Sequence, residues 1–197
     1  MAVMRLRISR LLGALAALVI VFCALGEAAF ATRIRSDVAP ILAFFGAVRE
    51  GDIAGVREEL SKGANPNAVD DAGKTALVYG VVSGNKELVQ LLLASGARAD
   101  LRDDIGNTAL IWAAEQGQID IADILISGGC PINAQNKQGQ TALMKAAQQG
   151  NREMVRLLVS KGADVNKADY TGRTALDWAQ AARKRPVVEI LTQSGAQ

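Results

Sequence analysis

Three carboxylates crowd one short stretch of the chain: Glu115, Asp120 and Asp123 lie within nine residues of each other. Paired carboxylates can do general acid–base work, but they need a nucleophile, a histidine or a metal-ligand spacing beside them. The chain has no histidine, which removes the commonest general base and the commonest metal ligand. Its two cysteines, Cys23 and Cys130, are far apart and form no CxxC pair. No glycine-rich phosphate loop is present either. The three acids therefore read as the polar faces of two helices, and Asp70, Asp103 and Asp169 as turn formers. Cys130 reads as a small buried residue; the alternative, a redox-sensing thiol, would need exposure and a lowered pKa. Arg183 to Arg185 are a compact basic run, read as a solvated loop or, alternatively, as a contact to an acidic membrane surface or partner. The expectation is a protein with no catalytic residue, no metal and no cofactor.

The first residues point to export. Arg5, Arg7 and Arg10 precede an apolar run from Leu11 to Leu25, and Ala29 and Ala31 make a small-x-small cleavage pattern. This is the layout of a secretory signal peptide over residues 1–31, cut after Ala31, with 32–39 as a short linker. An uncleaved membrane anchor is the rival, although the apolar run falls short of the ~20 residues a spanning helix needs. Of 22 basic and 20 acidic residues, Arg5, Arg7, Arg10 and Glu27 belong to that segment, which leaves 19 of each sign. A formally neutral mature chain gives no argument for nucleic acid as a partner. With Cys23 removed, the mature chain has one thiol and no internal disulfide, so its core alone must hold the fold. A disulfide-free exported domain leads to an expected location in the bacterial periplasm.

The elements that would position any site come from a repeat. "GKTAL", "GNTAL", "GQTAL" and "GRTAL" begin at Gly73, Gly106, Gly139 and Gly172, with a spacing of 33 residues each time. Two more glycine series keep step, Gly51/84/117/150 and Gly63/96/129/162/195, so the series hold thirteen of the nineteen glycines. Residues 103–135 show one unit. Asp103, Asp104 and Gly106 form a turn. Thr108 caps a helix "ALIWAAEQ", which Gly117 ends in a left-handed conformation. A second helix, "IDIADILIS", carries Ile121, Ile124 and Leu125 on one face and stops at Gly128 and Gly129. Such a pair cannot bury its apolar side alone, so copies must stack. The expected fold is an all-α solenoid of helix-turn-helix units with β-turn or hairpin projections along one edge.

The 33-residue period, "GxTAL", two helices and segments such as "KGADVNKAD" (161–169) and "KGANPNAVD" (62–70) make the chain resemble the ankyrin-repeat family over residues 40–197. The units are about 37–69, 70–102, 103–135, 136–168 and 169–197. The family favours Thr-Pro-Leu-His at each first helix. Here the proline is Ala76, Ala109, Ala142 and Ala175, and the histidine is Val78, Ile111, Met144 and Asp177. Apolar packing is expected to replace the threonine–histidine bond in the middle repeats. The end repeats depart as capping units should. The first offers "ILAFFGAVREGD", with Arg57, Glu58, Glu59 and Lys62 on its second helix. The last has Arg183 where the others have glycine, and Pro186 in the first turn of its final helix.

The resemblance implies a non-catalytic scaffold that binds a partner protein through its concave face, with no nucleic acid or small-molecule substrate. A membrane contact would arise only through an uncleaved signal segment. Carried over by position, the turn-tip candidates are Asp71, Ala72, Lys74, Asp104, Ile105, Asn107, Lys137, Gln138, Gln140, Tyr170, Thr171 and Arg173. The first helices add Val82, Ser83, Glu115, Gln116, Gln148 and Gln149. Trp112 shares one repeat position with Tyr79 and Trp178, held by Lys145 in the fourth unit and Gly46 in the first. That position reads as half-buried packing between first helices, or alternatively as a binding hot spot. A protective stabiliser of a periplasmic enzyme is a special case of the scaffold.

Overall fold

The computed structural model describes residues 41–197; the expected signal segment 1–31 and linker 32–39 lie outside them. Residues 41–50 form α1. Then come α2 (Ile53–Ser61), α3 (Ala76–Val82), α4 (Lys86–Ala94), α5 (Ala109–Gln116) and α6 (Ile119–Ser127), followed by α7 (Ala142–Gln149), α8 (Arg152–Ser160), α9 (Ala175–Ala181) and α10 (Arg185–Gln193). Helices of seven to nine residues are marginal in water, so each depends on its ends and its neighbours. Thr75, Thr108, Thr141 and Thr174 cap the first helices, their side chains accepting from the N–H three residues on, at 3.3–3.4 Å. Asp52, Asn85 and Asn151 cap α2, α4 and α8 in the same way at 3.0 Å. Gly117 ends α5 with φ +72°, as its sequence position requires. The same thirteen glycines that keep the 33-residue register are the ones with positive φ among the described residues.

Stacking supplies the core. In the second to fifth repeats the two helices pack against each other, and each pair lies on the next: α3, α5, α7 and α9 form one row, α2, α4, α6, α8 and α10 the other. The first-helix row packs more densely, because Ala76, Ala109, Ala113, Ala142, Ala146, Ala175 and Ala179 are fully buried and let backbones approach. Leu77, Leu88, Leu92, Leu110, Leu125, Leu143, Met154, Leu158 and Leu191 fill the space between the rows. Val78, Ile111 and Met144, at the position where the family favours histidine, are buried there too; apolar packing replaces the polar bond at Val78 and Ile111, while the Met144 sulfur accepts from the Thr141 N–H at 3.4 Å. The last repeat differs: Asp177 accepts from the Thr174 N–H at 2.7 Å and its hydroxyl at 2.9 Å, closing a capping box at the solvent end.

The projections are tight turns; among the described residues one isolated bridge joins Val69 and Thr75. One detail departs from expectation. Lys62 is not on α2 but one residue past it, where its ammonium reaches Glu58 (2.7 Å) and Glu59 (2.8 Å). Arg183 keeps the left-handed conformation of the glycines it replaces, φ +56°. A side chain in that region costs ~1–2 kcal/mol, partly offset by glycine's larger unfolded-state entropy. Arg183→Gly is expected to raise stability by about 0.5–1 kcal/mol, seen as a higher urea midpoint at unchanged slope.

Candidate partner-binding surface

Each turn is organised by one polar side chain. Asp103 Oδ1 accepts from the N–H groups of Ile105 (3.0 Å) and Asn107 (2.8 Å), and its backbone N–H reaches the Asn107 carbonyl at 3.0 Å. Asp70, Asn136 and Asp169 do the same for their own turns. The second carboxylate oxygen points down to the first helix nine residues on. Asp103 Oδ2 accepts from the Trp112 indole at 2.8 Å, Asp169 Oδ2 from Trp178 at 3.0 Å, and Asp70 Oδ2 from the Tyr79 hydroxyl at 2.5 Å. The fourth repeat breaks the pattern on both sides at once. Lys145 stands in the aromatic position and turns to Glu115 at 3.2 Å. The turn residue there is Asn136, whose amide donates to Asn107 Oδ1 at 2.9 Å.

Burial pushes the Asp70 carboxyl up, but the Tyr79 hydroxyl, the Lys74 and Ala72 N–H groups and the Arg49 guanidinium together hold it below the usual range. Asp169 is also held low: the Thr171 hydroxyl, the Arg173 and Thr171 N–H groups and the Trp178 indole outweigh its burial. Cations lie against the same aromatics. Arg49 sits 5.9 Å from the Phe45 ring centroid and 5.4 Å from that of Tyr79. Lys74 lies 6.0 Å from Tyr79 and 5.6 Å from Trp112, and Arg173 lies 5.3 Å from Trp178. Successive turns also join along the tip row, where Lys137 N–H donates to the Ile105 carbonyl and Tyr170 N–H to the Gln138 carbonyl, each at 3.2 Å.

A family model for ankyrin repeats (three copies) matches residues 44–136 and 125–197. The chain belongs to the ankyrin-repeat family. No curated protein matches it. As an ankyrin-repeat protein it is a protein–protein interaction scaffold, in a family that is generally non-enzymatic.

The ankyrin turns place most of the expected contact residues at the surface. Asp71, Ala72, Asp104, Ile105, Lys137, Gln138, Tyr170, Thr171 and Arg173 are exposed at the tips, with Lys74 and Gln140 half-buried. Val82, Ser83, Gln116 and Gln149 are exposed on the first helices; Glu115 and Gln148 are half-buried beside them. Asn107 must be removed from this set. It is 1% exposed, and its side chain is spent on Asn136 within the stack. Trp112 is half-buried, with its one polar atom committed to Asp103, so packing accounts for it and only a ring edge remains for a partner.

The other chemical candidates are absorbed by the ankyrin stack. Glu115, Asp120 and Asp123 each pair with a lysine of a neighbouring repeat, Lys145, Lys86 and Lys161. Cys130 is buried, donates to the Ala99 carbonyl at 3.2 Å, and burial pushes its thiol up to about 11, the opposite of a reactive cysteine. Arg183 and Arg185 are exposed with Lys184 half-buried between them; the three line an open groove of about 610 Å³ with Gln180, Val188 and Glu189. Among the described residues no helix is long and apolar enough to cross a membrane, and no group of acids and cysteines could hold a metal ion.

One inter-repeat contact escapes a reading of "GxTAL" alone. Asn67, Asn133 and Asn166 each clasp the next repeat, accepting from the N–H of Arg98 (2.7 Å), Asp164 (2.9 Å) and Gln197 (2.9 Å). The fourth such junction has Pro131 where the donor should be, and proline carries no N–H. Its partner position is Asp100 rather than asparagine, and Asp100 binds the Arg98 side chain instead, at 2.7 and 3.1 Å. Asp100→Asn with Pro131→Ala should complete the clasp. The double variant is expected to be about 1 kcal/mol more stable than the two single effects predict, measured by urea unfolding.

Proposed function

We propose that this chain is a non-catalytic scaffold of the bacterial periplasm that holds a partner protein along its concave face. The observation that carries the binding reading is the contrast within the repeat. The buried alanines, leucines and capping threonines recur unchanged, while the exposed tips vary from Asp71 to Asp104, Lys137 and Tyr170. Stacking fixes the first group, and nothing in the stack requires the second. Ile105 at 48% and Tyr170 at 71% exposure are the large apolar tips, and such side chains serve as anchors when a partner desolvates them. The periplasmic part rests on the signal-like pattern of residues 1–31.

Crosslinking and pull-down from the native envelope test the binding face. Ile105→Ser with Tyr170→Ser is expected to cut partner capture at least tenfold with helicity unchanged, since neither side chain is in the core. Undiminished capture would remove the concave face from consideration. N-terminal sequencing of the mature protein tests export: a start at Thr32 is expected, and a start at Met1 favours the anchor. A stabilising role toward a periplasmic enzyme is the same scaffold with one kind of client.

A further inference from the structure

We propose that the occupant of the concave face is an extended, acidic segment of the partner, whose carboxylates meet Lys74, Lys137 and Arg173 and whose apolar side chains meet Ile105 and Tyr170. This rests on the concave-face reading and adds the chemistry of what binds there. Five of the described cations beside the tips and first-helix aromatics fall into two kinds. Arg49 and Lys145 are neutralised in place by Asp70 at 3.3 Å and Glu115 at 3.2 Å. Among the described residues Lys74, Lys137 and Arg173 have no carboxylate within ion-pair distance. Lys74 and Arg173 are instead pinned over the Trp112 and Trp178 rings at 5.6 and 5.3 Å, and Lys137 rests its ammonium on the Asp104 carbonyl at 2.5 Å. An aromatic ring orders a cation without cancelling its charge, so these groups are held ready for an anion from outside.

Two exposed acids set the polarity and the class of occupant. Asp71 and Asp104 stand at the tips of the second and third repeats, while Lys137 and Arg173 hold the fourth and fifth. A phosphate backbone, charged at every step, would run into Asp71 and Asp104 on this face; a polypeptide can place its acids at Lys74, Lys137 and Arg173 and neutral or basic residues at Asp71 and Asp104. Length follows from the stack. Lys74 and Arg173 are three repeats apart, ~24–30 Å at ~8–10 Å per packed helix. An extended chain covers that in about seven to nine residues.

The test is selection of peptides from a random twelve-residue display library on the full chain, followed by titration of the enriched peptides. Enrichment of peptides with aspartate or glutamate around an apolar residue is expected. Their affinity should fall at least tenfold in Lys74→Glu/Arg173→Glu and measurably in the milder Lys74→Gln/Arg173→Gln, with circular dichroism unchanged. Neutral or basic peptides that lose affinity in Ile105→Ser/Tyr170→Ser would overturn the acidic occupant and leave the concave face standing. Peptides indifferent to every variant would overturn both. Failure to enrich any peptide, or equal binding of a ten-nucleotide oligothymidylate, would overturn the acidic segment.

Discussion

Asp103→Asn is expected to destabilise the domain by about 2–3 kcal/mol although it changes one atom. Asp103 is 8% exposed and both of its carboxylate oxygens accept: Oδ1 from two backbone N–H groups of the turn, Oδ2 from the Trp112 indole. An amide has one oxygen and one NH₂. If the oxygen stays on the turn, the NH₂ faces the indole N–H, and two donors meet with no acceptor between them. If the amide flips, the turn loses both of its bonds. Either way a buried donor is stranded, which costs ~1–3 kcal/mol, more when the lost acceptor was charged. Asn136 shows why asparagine is stable in the fourth repeat. There Lys145 has replaced the indole, and the amide NH₂ has Asn107 Oδ1 to donate to. A double-mutant cycle isolates the effect. In a Trp112→Phe background the same Asp103→Asn change meets no indole N–H and should cost about 1 kcal/mol less. Equal costs in the two backgrounds, by urea midpoint, would mean that the indole–carboxylate bond contributes nothing.

That pairing marks the boundary of what the sequence disclosed. The repeat, its helices and their caps were readable because each depends on a local rule. Threonine before a helix, glycine after it and apolar residues at i, i+3 and i+4 act within a few residues of themselves. Thr108, Gly117 and the 119–127 helix stand where the rules put them. The polar contacts were harder because they join positions that no local rule links. Asp103 with Trp112 spans nine residues, Asn107 with Asn136 spans 29, and Asn133 with Asp164 spans 31. Asn107 eludes a local reading for that reason. It varies between repeats as Lys74, Gln140 and Arg173 do, and variation alone does not separate an exposed tip from a polar group matched to one neighbour. The signal that does separate them is a pair of exceptions in step. Asn136 departs from aspartate where Lys145 departs from an aromatic, and Asp100 departs from asparagine where Pro131 removes an N–H.

Gly139→Ala is expected to be the costlier change, at about 3–5 kcal/mol, and to weaken partner binding as well. Its φ of +78° already charges any side chain ~1–2 kcal/mol. The added Cβ would lie 2.5 Å from the Tyr170 backbone nitrogen and 2.7 Å from its ring, inside any allowed contact. Because the first of these atoms is backbone, a rotamer change cannot relieve the clash, and the fifth turn must move off the fourth. That movement gives up the Tyr170 N–H bond to the Gln138 carbonyl, worth about 1 kcal/mol, and adds the ~1–3 kcal/mol of an overpacked contact. Gly162 is the control. Its φ is +89°, yet a Cβ there meets nothing within 4 Å, so Gly162→Ala should cost only the conformational part, about 1–2 kcal/mol. Urea unfolding of both variants separates the two causes, and equal losses would deny the close approach of the turns. Binding should separate them further. Gly139→Ala displaces Tyr170, the most exposed apolar tip, whereas Gly162 lies in the loop after the second helix, away from the tips. Partner affinity is therefore expected to fall in the first variant and stay level in the second at temperatures where both remain folded.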